Sequence, residues 1–425
     1  MTTIPAAHDT ATVTANDGRH RSLDILRGIA ILGTLGTNIF LFVDVDIGTS
    51  FAATLLSGLT NGKFLGLLTI MFGIGLAIQQ DAALRRHRRW PLVYIWRGVL
   101  LLLDGVLHYI LLFQWDVLMA YAVTGLVVAY ILSTSRGVQR VVLGVALTVH
   151  LVLLTLPVLG ISVPLPGGVA LATGEWAPST TPAGETEDTG VLRSITEPVG
   201  ESAELETWWS GVVARVTDFW DYRGEAVFIL PMGIALFLIG AMLLRAGVLE
   251  PRGRRIRTML MIVGFVAAAY ELAVLLVPEV VPHPPGNFGR YFVATAISFG
   301  ILAVVVMFYQ RRRIGWAGTR LEDVGRMALT CYVGQNIVAT FFFSDWALNL
   351  DRLIPDSWEI GKVVACYAIV ATIVVVFASL WRRRFARGPL EWSWNAGYRL
   401  LSRLTPSWNA PVAVVPTKPA HTEAV

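Results

Sequence analysis

The feature that most constrains this chain is a succession of apolar runs, each about twenty residues long and so able to cross the hydrocarbon core of a bilayer. No water is available there to satisfy backbone N–H and C=O groups, so such runs must fold as helices. Hydropathy predicts about ten spans, at roughly 26–44, 63–80, 96–113, 116–133, 139–160, 226–245, 257–277, 290–309, 326–343 and 360–381. Charged residues make up 15% of the chain, against about 25% in soluble domains. A soluble enzyme and a disordered protein are thereby excluded. Both cysteines, Cys331 and Cys366, fall inside apolar runs, which leaves neither a disulfide framework nor a metal cluster. The expected fold class is all-α, a polytopic helical membrane protein.

The formal charge of +4 does not point to nucleic acid, because the arginines sit in short loops. Arg19, Arg21 and Arg27 precede or open the first span, and Arg85, Arg86, Arg88 and Arg89 follow the second. Further groups stand at Arg136 and Arg140, Arg252 to Arg257, Arg311 to Arg313, and Arg382 to Arg387. With ten alternating spans all six groups fall on one side, and the positive-inside rule then places both termini in the cytoplasm. The expected organisation is a disordered tail over 1–20, a five-span half over 21–160, and an acidic external loop over 161–225. A second five-span half over 226–405 and a disordered tail over 406–425 complete it. The loop carries eleven acidic residues and three arginines. Its last part, WWSGVVARVTDFWDY, has the aromatic, amphipathic rhythm of an interfacial helix.

Ionisable side chains inside spans are costly and mark partners or cavities. The densest set is RGVLLLLDGVLHYILLFQWDVLMAYAVTG. Asp104 and His108 lie four apart on one helix face, Asp116 opens the next span, and Tyr121 follows. A histidine with a carboxylate to orient it is the usual equipment of a general base, and equally of a structural hydrogen-bonded pair. Asn38, Gln335 and Asn336 place amides in hydrocarbon, either as helix glue or for a polar substrate. His150 and Glu271 read as isolated. Lys63, one of only three lysines beside 31 arginines, reads first as a snorkelling interfacial residue. At the opposite end Arg21, Asp24 and Arg27 share a helix face, with Arg97, Arg326 and Glu391 nearby. Such a ring of arginines suits phosphates or, more plainly, topology and ion pairing. The glycines of FGIGLAIQQ serve close helix packing.

Five segments in order carry a family resemblance: RSLDILRGIAILGTLGTNI, NGKFLGLLTIMFGIGLAI, GVLHYILLFQWDVLMAYAVTGL, GRMALTCYVGQNI and RGPLEWSW. Together they resemble the YeiB-like family of bacterial membrane proteins, whose C-terminal half is domain-of-unknown-function family 418. Asp104, in a position more often apolar, and Cys331, where Asn is common, depart from that pattern. The family is distantly similar to membrane acyltransferases, including heparan-α-glucosaminide N-acetyltransferase. The resemblance implies a multi-pass protein of the bacterial inner membrane. It further implies an acyl group moved from cytoplasmic acyl-CoA to an envelope glycan, lipid or small molecule, with His108 as the catalytic histidine. Acyl-CoA would be a co-substrate and not a tightly bound cofactor. The expected partners are the lipid bilayer, acyl-CoA and an acceptor, with no nucleic acid, and a homodimer is a compatible assembly. The alternative from another class is a proton-coupled transporter or exporter, which needs the same buried histidine and acids.

Overall fold

The computed structural model describes residues 14–43, 51–161, 163–164, 170–171, 207–223, 226–285, 287–312, 314–355 and 358–409. Apart from a two-residue ladder, Val163–Pro164 with Ala170–Leu171, the regular structure is helical. The helices of ten or more residues are α1 (Thr14–Asn38), α2 (Phe51–Thr60), α3 (Lys63–Arg85), α4 (Leu92–Leu111), α5 (Leu118–Ile131), α6 (Arg136–Val158) and α7 (Trp208–Thr217). After them come α8 (Ala226–Arg245), α9 (Arg254–Leu276), α10 (Ala294–Arg311), α11 (Trp316–Arg326), α12 (Ala328–Phe343), α13 (Glu359–Arg382) and α14 (Pro389–Ser402). Seven segments are long and apolar enough to cross a membrane, and three shorter apolar helices, Leu118–Ile131, Ile229–Arg245 and Ala328–Phe343, accompany them. The protein is therefore a helical membrane protein. These ten segments overlie the ten apolar runs of the sequence.

Three helices were not anticipated. Both α2 and the polar α11 lie between expected spans, and α14 is amphipathic. α1 begins at Thr14, so part of the segment expected as tail is helical. Residues 1–13 and 410–425, and most of the acidic loop, lie outside the described residues. The interfacial helix expected near its end is present as α7, opened by a capping box. Thr207 Oγ1 accepts from the Ser210 nitrogen, and Ser210 Oγ accepts from the Thr207 nitrogen.

The buried apolar side chains form two cores. The first gathers α3, α5, α8 and α10 with the start of α1, around Leu67, Ile70, Tyr121, Phe237 and Leu302. The second gathers the rest of α1 with α12 and α13, around Ile31, Leu35, Met327, Ala339, Cys366 and Val370. Small residues set the closest crossings. In the FGIG motif, a methyl group on Gly73 would overlap the Phe237 backbone of α8, and Gly240 returns the contact against Ile70. Gly75, two residues on, would meet only the Arg27 Nη2, at 3.7 Å. Gly73→Val is therefore expected to cost about 1–3 kcal/mol through overpacking, read as a lowered Tm in detergent. Gly75→Ala should leave the Tm unchanged, and equal shifts in the two variants would refute this account of the crossing.

The arginine-rich ends of the helices lie together. Arg21 at the start of α1 pairs with Glu322 of α11, and Arg245 at the end of α8 donates to Gln80 of α3 and Gln139 of α6. The opposite end carries the His108 group.

Candidate functional site

Gly105 lets α5 begin close beside α4, since a methyl group there would lie 2.6 Å from the Met119 nitrogen. That approach brings Asp116, in the short connection ahead of α5, back onto His108 of α4. His108 Nδ1 and Asp116 Oδ1 are 2.7 Å apart and both residues are buried. Asp116 Oδ2 accepts from the Met119 nitrogen at 3.1 Å, which also satisfies an orphan donor of the first turn of α5. An ionised carboxylate only accepts, so Nδ1 carries the proton and Nε2 presents a lone pair. That lone pair faces Asn336 Nδ2 of α12 at 3.1 Å. Asn336 Oδ1 in turn accepts from Asn38 Nδ2 of α1 at 3.3 Å. In the tautomer with Nδ1 protonated the bonds run in one direction, Asn38 to Asn336 to His108 to Asp116. Tyr332, one helical turn before Asn336, sets its ring 5.4 Å from the imidazole. Phe113 lies on another side and stacks on Phe42.

The segment 207–223 closes this group from outside. The last carbonyls of α4 have no partner within their own helix. Those of Leu111 and Ile110 accept from Trp208 Nε1 and Arg215 Nε, at 2.8 and 2.9 Å. Tyr109 Oη donates to the Arg215 carbonyl. Burial pulls the Arg215 guanidinium below its ordinary value, but an arginine stays charged, and it suits the negative end of α4. Arg223 Nη1 donates to the Asp116 carbonyl at 2.6 Å and stands 4.1 Å over the Tyr109 ring.

Several polar atoms beside this network are buried with no hydrogen-bond partner. They are Asp104 Oδ2, Trp115 Nε1, Thr340 Oγ1 and both amide atoms of Gln335. Each belongs to a residue next to, or one helical turn from, a member of the network. Asp104 is not the partner of His108. Tyr121 also lies outside the pair: its hydroxyl is shared with Thr69 Oγ1 at 2.8 Å and the Leu65 carbonyl, and its ring packs in the first core.

Other expectations require correction. Lys63 does not snorkel. It is buried, 2.6 Å from Glu271 Oε1 of α9 and bonded to the Gly58 carbonyl, so Glu271 is not isolated either. A second lysine, Lys362, is likewise buried, 3.5 Å from Asp351. Glu391 is not free to hold a ligand. Its Oε1 accepts from the Leu329 and Thr330 nitrogens and its Oε2 from Thr330 Oγ1, which caps α12 from the neighbouring α14.

The arginine ring divides in two. Arg27 pairs with Asp24 at 3.0 Å, Arg21 with Glu322 at 2.9 Å, and Arg326 with Glu322 at 3.3 Å and Asp24 at 3.8 Å. Asp323 adds pairs with Arg320 and Arg382; burial raises its carboxyl pKa against the pull of both. Arg97 stands apart, donating to Gln79 Oε1 and lying over the rings of Tyr398 and Trp394.

Glu322, Tyr332, Phe113 and the α7 anchors are the residues that sequence reasoning missed. Tyr332 alone had a usable signal, its position four before Asn336 on the same helix face.

Residues 243–400, from the end of α8 to α14, match the family model described as a protein of unknown function, DUF418. Over nearly the whole chain there is similarity to the uncharacterized protein YxaH of Bacillus subtilis (strain 168). The two are 26% identical over 402 residues, which covers 88% of this chain and 92% of that protein. The uncharacterized protein YeiB of Escherichia coli (strain K12) is also 26% identical, over 415 residues, covering 89% of this chain and 95% of its own length. Asn336, Glu322 and Glu391 fall inside the matched domain, whereas His108 and Asp116 fall before it. The five ordered motifs, the domain match and the two relatives agree: residues 243–400 match DUF418, and over nearly its whole length the chain is similar to YeiB and YxaH.

Proposed function

We propose that this protein is a membrane-embedded acyltransferase with ten spans and both termini in the cytoplasm of a bacterial inner membrane. The observation that carries the reading is the buried His108–Asp116 pair with its Nε2 lone pair directed away from the carboxylate. A histidine so oriented serves as a general base. An acceptor hydroxyl or amine displaces the Asn336 amide and gives its proton to Nε2, while Asp116 stabilises the imidazolium. The acceptor oxygen or nitrogen attacks the thioester carbonyl of acyl-CoA. Collapse of the tetrahedral adduct breaks the C–S bond, and the departing thiolate recovers the proton from His108. Gln335, Asp104 and Trp115 offer their unpartnered polar atoms to the polar groups of the acceptor.

The proton-coupled transporter needs a path for protons but no attacking group, so one assay separates the two. Purified protein is supplied with acetyl-CoA and an extract of envelope glycans and lipids, and free CoA thiol is measured beside acylated product. The expected result is thiol and acylated product appearing in equal amounts, dependent on His108. Thiol release absent from the wild type, together with solute uptake driven by a pH gradient in proteoliposomes, would replace this reading with transport.

A further inference from the structure

We infer that the arginine-rich end holds a second site, for a phosphoryl group, in the cleft between the end of α3, the start of α4 and α14. A cavity of about 80 Å³ lies there, lined by Gln79, Arg86, Arg88, Trp90, Arg97 and Tyr398 among others. Among the described residues none of these three arginines has a carboxylate within ion-pair distance. Arg21, Arg27, Arg320, Arg326 and Arg382, at the same end, all have one. Three arginines lining one cleft without an acid leave it positively charged, which favours an anion. Guanidinium groups fit phosphate oxygens through paired N–H donors.

The walls of the cleft are tied in place. Trp90 spends its Nε1 on the Ala129 carbonyl at 2.9 Å, so its indole N–H is not available to a ligand. Tyr398 Oη donates to the Val93 carbonyl at 3.3 Å, which fastens α14 across the start of α4. Gln79 accepts from Arg97 through Oε1 and so fixes the fork of that guanidinium. The cleft is small beside the cavities of about 300–1,000 Å³ that take whole drug-sized ligands. A space of about 80 Å³ takes a phosphoryl group with the remainder of its molecule outside. That remainder is either a soluble coenzyme or a phospholipid whose headgroup reaches the cleft. The coenzyme source rests on the acyltransferase reading; the phosphoryl site does not.

The test is calorimetric titration of inorganic pyrophosphate into the full-length protein in an uncharged detergent at low salt. Saturable binding is expected, weakened at least tenfold in Arg97→Gln and separately in Arg88→Gln, both with unchanged Tm. Arg254→Gln, at the same end but outside the cleft, should bind as the wild type does. The titration is then repeated with coenzyme A and with nanodiscs rich in phosphatidic acid. Competition by coenzyme A alone identifies the soluble source, and competition by the nanodiscs alone identifies a headgroup. No saturable binding of pyrophosphate, or an equal loss in Arg254→Gln, would overturn the site. Full acyl transfer together with lost pyrophosphate binding in Arg97→Gln would detach the site from the coenzyme and leave the acyltransferase reading in place. Transfer that is absent in the wild type while pyrophosphate still binds would do the reverse.

Discussion

Replacing Asp116 by Asn is expected to lower His108-dependent turnover about 10²–10⁴-fold, the share general-base catalysis commonly supplies. The two carboxylate oxygens of Asp116 each accept one N–H, from His108 Nδ1 and from the Met119 nitrogen. An amide has a single acceptor for those two donors. Either the Met119 N–H is left unpaired, or the Asn NH2 faces Nδ1 and drives the imidazole into the tautomer whose Nε2 carries the proton. In that tautomer Nε2 cannot accept a proton from the acceptor. His108→Ala should lose as much, and the double variant little more, because the two act as one unit. Asp104→Asn should lose far less, since no bond joins Asp104 to the imidazole. Breaking a buried pair also costs about 3–5 kcal/mol of stability. Turnover must therefore be normalised to the fraction that still binds pyrophosphate at the far end. Full activity in Asp116→Asn would remove the pair from the chemistry.

The second large effect concerns Glu391. Glu391→Ala strips the acceptors from two backbone N–H groups and a hydroxyl at the start of α12. Hydrogen bonds to a charged group contribute about 1.5–3 kcal/mol each, and a negative charge at a helix N-terminus adds up to about 2 kcal/mol. These terms do not add fully, so a loss of about 2–4 kcal/mol is expected, read as a lowered Tm. Glu391→Gln keeps one acceptor oxygen and should fall between the wild type and Ala. Donor affinity, measured per folded molecule, should be unchanged in both variants. An unaltered Tm with weakened donor binding would return Glu391 to the ligand-holding role that its place near the arginines suggested.

The case of Glu391 shows what the sequence could and could not convey. Hydropathy located the membrane helices because each is apolar over most of its length, a property of the segment alone. The His108–Asp116 pair was legible for a related reason: eight residues and one short connection separate the partners. Asn336 and Asn38 stood out as amides in hydrocarbon. Their assignment to the histidine depends on contacts across 228 and 298 residues of chain, which no local pattern records. The arginine ring misled in the opposite way. Shared sidedness gathered its members, but Glu322, the partner of Arg21 and Arg326, lies on α11, a helix too polar for hydropathy to report. With Glu322 unseen, Arg21 and Arg326 looked available, whereas Arg86 and Arg88 passed as topology signals. Lys63 looked interfacial because its partner, Glu271, lies 208 residues away.

The division of the interior into two cores has a further consequence. His108 rides on α4 and Asp116 stands just ahead of α5, which packs in the first core, whereas Asn336 belongs to α12 and the second. The contact at Nε2 is a neutral amide bond across that seam, and the contact at Nδ1 is a charge-assisted bond within one side. Of the two bonds the neutral one is the weaker, so the lone pair can be uncovered while Asp116 still holds the ring in register.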